Sequence, residues 1–172
     1  GDKPVVAVIF THSHVDHFGG ALAVASAADV ASGKVRVYAP QGFMEEAASE
    51  NVLAGPAMGR RAIYMYGRDL PRSERGKVDN GLGKEPAMGT VGILQPTDLI
   101  DSTPQAVAID GVDFIFQYTP GAEAPAEMTF YLPAHKAFGG AEILSRTLHN
   151  LYTLRGAKVR DARLWAGYID AS

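Results

Sequence analysis

The 172-residue chain contains no cysteine. Disulfides and thiolate metal ligands are therefore excluded, and any bound metal must be held by imidazole or oxygen. The absence fits any redox compartment and selects none. Long apolar runs are missing too; the hydrophobic stretches are short and interrupted, so no membrane span is expected. Charge of one sign is also scarce. Lys and Arg number 16 against 19 Asp and Glu, a formal net charge of −3, and the basic residues form no run. Attraction to nucleic acid or to an anionic membrane surface is therefore not signalled. What remains, 47% hydrophobic and 20% charged residues, suits a globular domain with a sizeable core.

The residues that are present concentrate their chemistry in one stretch. Thr11-His12-Ser13-His14-Val15-Asp16-His17 leads into Phe18-Gly19-Gly20. It follows Val5-Val6-Ala7-Val8-Ile9-Phe10, an apolar, β-branched run that reads as a buried strand. Three imidazoles and a carboxylate on a loop at a sheet edge suit zinc or a neighbouring first-row metal. In extended chain His12, His14 and Asp16 share one parity and His17 breaks it. A turn after His14 divides the four groups into two pairs, His12/His14 and Asp16/His17, each able to hold an ion. A polar loop whose histidines cap a helix or bond water is the blander alternative.

Along the rest of the chain, a strand over residues 4–10, a helix over 21–31 with a break near Ala28-Asp29, and a strand over 35–39 make a βαβ unit with parallel strands. Helices are expected over 43–50 and 51–66, with Gly55-Pro56 as a kink or boundary. Met58, Ile63, Met65 and Tyr66 there read as core or helix-contact residues. Residues 67–92 read as a long loop. Within it Gly81-Leu82-Gly83-Lys84 lacks the preceding strand and following Ser/Thr of a phosphate loop. A short strand falls within 94–100. Asp110-Gly111 between 106–109 and 112–118 is a hairpin signal. Strands follow over 128–132 and 137–141, with Glu142 directly after. His135 reads as exposed, Glu127 as solvated or adjoining a site. Helices are expected over 149–156, with Gly156 as its cap, and over 161–169. The pattern is α/β, a layered sheet-and-helix arrangement forming one domain over residues 1–172. The sequence opens Gly1-Asp2-Lys3-Pro4 and runs straight into a strand, so neither a signal peptide nor an upstream partner strand is expected within it.

The HxHxDH motif resembles the metal-binding signature of the metallo-β-lactamase superfamily. Further stretches resemble its alkylsulfatase branch: Glu45-Glu46-Ala47 with Ser49-Glu50-Asn51-Val52; Gly59-Arg60-Arg61-Ala62 with Met65-Tyr66-Gly67; the run from Pro120 to Met128; and the run from His149 to Ala157. The resemblance covers nearly the whole chain. It implies a partial αββα metallo-β-lactamase fold, lacking its N-terminal strands and its C-terminal end, and an internal fragment of a catalytic domain.

For the parent protein the resemblance implies a binuclear zinc hydrolase of alkyl sulfate esters. His12, His14, Asp16 and His17 would be joined as ligands by Glu123 and Glu142. Glutamates at both of those places favour the sulfatase branch, because lactamase-like enzymes place a histidine at the first and a bridging aspartate at the second. Arg155 resembles the family's sulfate-anchoring arginine, and a planar guanidinium suits a tetrahedral anion. Its alternative is a surface arginine in a helix's last turn. The resemblance places one further metal histidine beyond Ser172. The 172 residues alone are thus expected to bind zinc weakly or not at all and to be inactive. It also implies a homodimeric parent with a periplasmic or secreted location. A thioester or lactam hydrolase of the same fold, or a non-catalytic packing domain, are the alternatives.

Overall fold

The structure is a computed structural model that describes residues 3–81, 83–84 and 89–172. It builds two sheets. In the first, β1 (Ala7–Ile9), β2 (Arg36–Pro40) and β3 (Asp98–Ile100) run parallel in that order. In the second, β4 (Gln105–Ile109), β5 (Val112–Tyr118), β6 (Met128–Leu132) and β7 (Ala137–Gly139) form an antiparallel meander. Asp110 and Gly111 both take positive φ, 49° and 78°. That is the backbone a two-residue hairpin needs to match strand twist.

One sheet-to-sheet core is apolar. Ile9 and Ile100 of the parallel sheet pack with Phe116, Met128, Phe114 and Phe130 of the meander. Alternate residues of β5 face inward, as the period of a strand requires. The other face of the parallel sheet is covered by short helices: α1 (Val15–Phe18), α2 (Ala27–Ala31) and α3 (Phe43–Ala48). Phe10, Phe18 and Phe43 meet there; Phe10 stacks on Phe43 at 5.0 Å, and Phe18 lies edge-on to both. Both ends of the histidine motif are thereby anchored in one aromatic core. A π-helical turn (Ser49–Leu53) joins α3 to α4 (Gly55–Met65), which opens at Gly55-Pro56. Met58 of α4 is buried.

The last helix, α5 (Ala162–Asp170), is capped by the Asp161 carboxylate, which accepts from the amides of Arg163 and Leu164. Its Trp165 packs on Ala122 and Ile143 and donates its indole N–H to the Ile143 carbonyl at 2.8 Å.

Four expectations change. The helix over 21–31 is a 3-10 turn at Ala21–Ala23 followed by α2, because Ser26 starts a new helix with a reciprocal capping box to Asp29. The strand over 137–141 stops at Gly139. Ala141 is left-handed, with φ 47°, so Glu142 lies in a turn beyond the strand. No helix forms over 149–156: its polar groups bond elsewhere, the Arg160 amide to the Leu151 carbonyl and the Ala157 amide to the Thr153 hydroxyl. Gly156, at φ 88°, closes a turn there and caps no helix. Leu82 of Gly81-Leu82-Gly83-Lys84, and other parts of the 67–92 loop, lie outside the described residues.

Candidate metal centre

The histidine motif sits at the seam between the sheets. Past β1 the chain leaves the parallel sheet and pairs with the entry to β6. The Met128 amide donates to the Thr11 carbonyl at 2.8 Å, the Ser13 amide to the Ala126 carbonyl at 3.2 Å, and His12 bridges Glu127. His14 is the N-cap of α1 in extended conformation, and the helix begins at Val15. The turn after His14 therefore exists, and it swings Asp16 and His17 away from the line of His12 and His14. Gly19 closes it: a Cβ there would meet the Val15 carbonyl oxygen at 2.6 Å.

Four residues bring ligand-type atoms within 4.8 Å of one another: His12, His14, Glu123 and Glu142. His12 Nε2 lies 3.2 Å from Glu142 Oε2 and 3.8 Å from Glu123 Oε2; His14 Nδ1 lies 2.9 Å from Glu123 Oε2. His17 Nε2 joins from the other side, 3.0 Å from Glu142 Oε2 and 3.4 Å from Asp16 Oδ2. Glu142 Oε2 thus stands between His12 and His17. Among the described residues Asp16 pairs with His17 alone, and its side chain is largely exposed.

The fit to a metal can be tested on the polar atoms themselves. His12 Nε2 and Glu123 Oε2 are buried and lack a hydrogen-bond partner among the described residues. Buried polar atoms are nearly always satisfied, so orphans aimed at a common point call for a missing partner. The other nitrogen of His12, Nδ1, lies 3.0 Å from the Thr11 hydroxyl. That contact suits the tautomer that leaves Nε2 free to ligate. Imidazoles with carboxylates and no thiolate form a donor set for zinc or a similar first-row ion.

The electrostatics point the same way. Burial pushes the His12 pKa down. Although burial opposes it, Glu123 and Glu50 hold His14 up at about 9. Asp16 and then Glu142 raise His17 to about 10. His12 and His17 lower Glu142 to about 2. Glu123 is held below the ordinary carboxylate range by His14 and His149, against its burial. For the metal-free protein the signs follow. The raised His14 and His17 contribute stability that is complete below their ordinary value of 6.5 and is lost as pH rises through about 9 and 10. The lowered Glu142 contributes above 4.5 and is lost as pH falls toward about 2. The lowered His12 likewise withdraws stability as pH falls below 6.5. Chemical denaturation of chelator-treated protein across this range is expected to show maximal stability near pH 6.5 and a decline from there up to about pH 9 to 10, where these contributions are exhausted. A flat alkaline limb would contradict the pairing.

Several residues that motif reading left outside the ligand set belong to this neighbourhood. His149, read as a helix-start residue or one adjoining the ligands, has Nε2 2.9 Å from Glu123 Oε1 and 3.6 Å from Glu142 Oε1. Asn150 donates its side-chain amide to Glu123 Oε1 and accepts from Arg155 Nη2 at 3.1 Å. Arg155 is half-buried, outside any helix, and its Nε is buried without a partner among the described residues. Glu127 is not solvated. It is fully buried, taking the Ala124 amide on Oε2 at 2.9 Å and the Glu142 amide on Oε1 at 3.2 Å. Burial, with Glu123 adding, raises its pKa to about 8 against those two donors. Glu50 and Arg160 are buried behind His14. No local pattern marks either one; both lie in or beside the stretches that carry the family resemblance. His135 is exposed in its turn.

Residues 1–116 match the family model of the metallo-beta-lactamase superfamily, and the chain belongs to that superfamily. Membership implies metal ions, which the His/Glu cluster is composed to hold. The chain is similar to alkylsulfatases. It is 54% identical over 168 residues to a linear primary-alkylsulfatase of Pseudomonas sp., covering 98% of this chain and 25% of that protein. It is 50% identical over 170 residues to the alkyl/aryl-sulfatase BDS1 of Saccharomyces cerevisiae, covering 99% and 26%. The chain therefore spans about a quarter of the length of these relatives. The solved structure of the stereoselective inverting sec-alkylsulfatase Pisa1 from Pseudomonas sp. superposes with a TM-score of 0.93 at 50% identity, over 99% of this chain and 27% of that one. The metallo-beta-lactamase IND-7, at 18% identity and a TM-score of 0.51, shares the fold.

Proposed function

We propose that these residues serve zinc-dependent hydrolysis of alkyl sulfate esters to alcohol and sulfate in the natural protein that contains them. The observation that carries the reading is the convergence of two orphaned ligand atoms, His12 Nε2 and Glu123 Oε2, with Arg155 tethered alongside through Asn150. Names of relatives at 50–54% identity support the substrate class. His12, His14 and Glu123 would hold one ion; Asp16 and His17 would hold a second, with Glu142 shared.

When bound, such ions acidify a water and polarise the ester. The chain's own residues do the rest. Asn150 orients the Arg155 guanidinium through Nη2, so Nε, without a partner among the described residues, remains to donate to a sulfate oxygen. Glu127 holds the Glu142 amide and so fixes the turn that carries the shared carboxylate. The homodimer and the extracytoplasmic location implied by the resemblance belong to this proposal as well. Among the described residues no helix is long and apolar enough to cross a membrane.

The test is a substrate panel on the full-length natural protein. Dodecyl sulfate is expected to be hydrolysed, and lactams and thioesters left intact. Hydrolysis of a lactam or thioester without sulfate release would overturn the reading. Arg155→Lys is expected to lower kcat/KM for dodecyl sulfate by roughly 10- to 100-fold, about 1.4 to 2.8 kcal/mol, because an ammonium cannot present the bidentate fork. Zinc content should be unchanged in that variant. Unchanged kcat/KM would remove Arg155 from the anion site.

A further inference from the structure

Behind His14, on the side away from Glu123, lies a buried charge pair. The π-helical turn Ser49–Leu53 inverts the usual order of burial: Glu50 is 3% exposed, while Val52 and Leu53 are 69% and 81% exposed. An extra residue in a helical turn redirects a side chain, and such turns cluster at functional sites. The inward-turned Glu50 meets Arg160, itself 5% exposed. Both Nη1 and Nη2 of Arg160 donate to Glu50 Oε1 at 3.2 Å. Arg160 Nε donates to the Glu123 carbonyl at 2.8 Å, and Nη1 also donates to the Lys158 carbonyl. The second carboxylate oxygen, Glu50 Oε2, is buried, has no hydrogen-bond partner among the described residues, and lies 3.4 Å from His14 Nε2.

His14 therefore has its two nitrogens in different settings. Nδ1 faces Glu123 Oε2 in the donor cluster; Nε2 faces Glu50 and, at 3.3 Å, Arg160 Nη2. A neutral imidazole carries one N–H, and the nitrogen without it is the ligand. If Nε2–H donates to Glu50, Nδ1 is left with its lone pair toward the cluster. If instead Nε2 accepted from Arg160, Nδ1 would carry the proton and could not ligate. Four of the five guanidinium N–H groups are engaged on Glu50 and on two backbone carbonyls, and the remaining Nη2–H faces His14 Nε2. With Nδ1 as the ligand, Nε2 carries the proton, and of its two neighbours only the Glu50 carboxylate can accept it, because a guanidinium has no acceptor.

We propose that Glu50 and Arg160 are a positioning pair: Arg160 fixes Glu50 and the backbone of Glu123, and Glu50 accepts Nε2–H of His14, setting the tautomer that ligates through Nδ1. Neither residue touches the substrate. The inference rests on the reading of His14 and Glu123 as metal ligands. A carboxylate on the far nitrogen of a ligating histidine commonly contributes 10- to 100-fold to metal affinity.

The experiment is zinc affinity of the chelator-treated, full-length natural protein, measured by competition with a chromophoric chelator. Three variants are compared, each checked by thermal unfolding: Glu50→Leu, Glu50→Gln, and the double variant Glu50→Leu/Arg160→Met. Glu50→Leu strands the Arg160 charge and could fail to fold; the double variant removes both charges and keeps the volume. The double variant is expected to fold and to bind zinc roughly 10- to 100-fold more weakly than wild type. Glu50→Gln, which keeps an acceptor for Nε2–H, is expected to recover most of that loss. A role in packing alone predicts wild-type affinity in the double variant. A wild-type affinity there, or a Glu50→Gln variant as weak as the double variant, would overturn the assignment while leaving the metal site standing. A wild-type protein that binds no zinc would instead overturn the proposed function, and this inference with it.

Discussion

Replacing Glu142 by Ala in the full-length natural protein is expected to lower dodecyl sulfate hydrolysis about a thousandfold, roughly 4 kcal/mol of transition-state stabilisation. Its zinc content should fall as well. The reason is position. Glu142 Oε2 lies 3.2 Å from His12 Nε2 and 3.0 Å from His17 Nε2, so one carboxylate serves both halves of the histidine motif. Removing it leaves His12 and His17 facing each other, with ring centroids 4.1 Å apart. Replacing Asp16, which among the described residues pairs with His17 alone from an exposed position, is expected to cost less. Atomic absorption on the purified variants, beside steady-state rates, checks the order. Equal losses in Glu142→Ala and Asp16→Ala would argue against a shared carboxylate.

The second large effect is on stability. Glu127→Ala is expected to destabilise the fold by about 4 kcal/mol, since it strands one buried and one part-buried amide at about 1–3 kcal/mol each. For a chain of this size that lowers the unfolding midpoint by roughly 10 °C. The stranded groups are the amides of Ala124 and Glu142, one adjacent to Glu123 and the other belonging to Glu142 itself. The variant should therefore lose metal affinity along with stability. Glu127→Gln keeps one acceptor oxygen and turns its amide nitrogen toward the other donor, so about half the loss is expected. Calorimetric unfolding of the three proteins tests it; a Glu127→Ala midpoint within 2 °C of wild type, against the roughly 10 °C expected, would show those hydrogen bonds to be dispensable.

Short-range chemistry was the legible part of this sequence. Asp110-Gly111 dictates a hairpin because its two positive-φ positions suit few other residues, and β4 and β5 pair around it. The apolar run before Thr11 dictates a strand, and the clustered histidines announce a metal-type loop whatever the surrounding fold. Glu123 and Glu142 carry no such local signal. They stand more than a hundred positions from His12; their places at strand ends allowed them to face the same rim, and the resemblance to the alkylsulfatases is what singled them out.

The segment around Asn150 and Arg155 misled for a physical reason. Its composition allows a helix, but Asn150 is committed to Glu123 and Arg155, Thr153 to Ala157, and the Leu151 carbonyl to Arg160. Tertiary bonds of that kind override propensities worth a few tenths of a kcal/mol per residue. Glu50 was hidden by a helical turn that buries it and exposes its apolar neighbours. Hydrophobic periodicity points the wrong way at such a position.

The most direct measurement is paired metal analysis and sulfate release on the full-length natural protein: as purified, after exhaustive chelation, and after return of zinc. The expected result is two zinc ions per chain, loss of dodecyl sulfate hydrolysis on chelation, and recovery when zinc is restored. Undiminished sulfate release from the metal-free protein would contradict the metal centre built from His12, His14, Asp16, His17, Glu123 and Glu142.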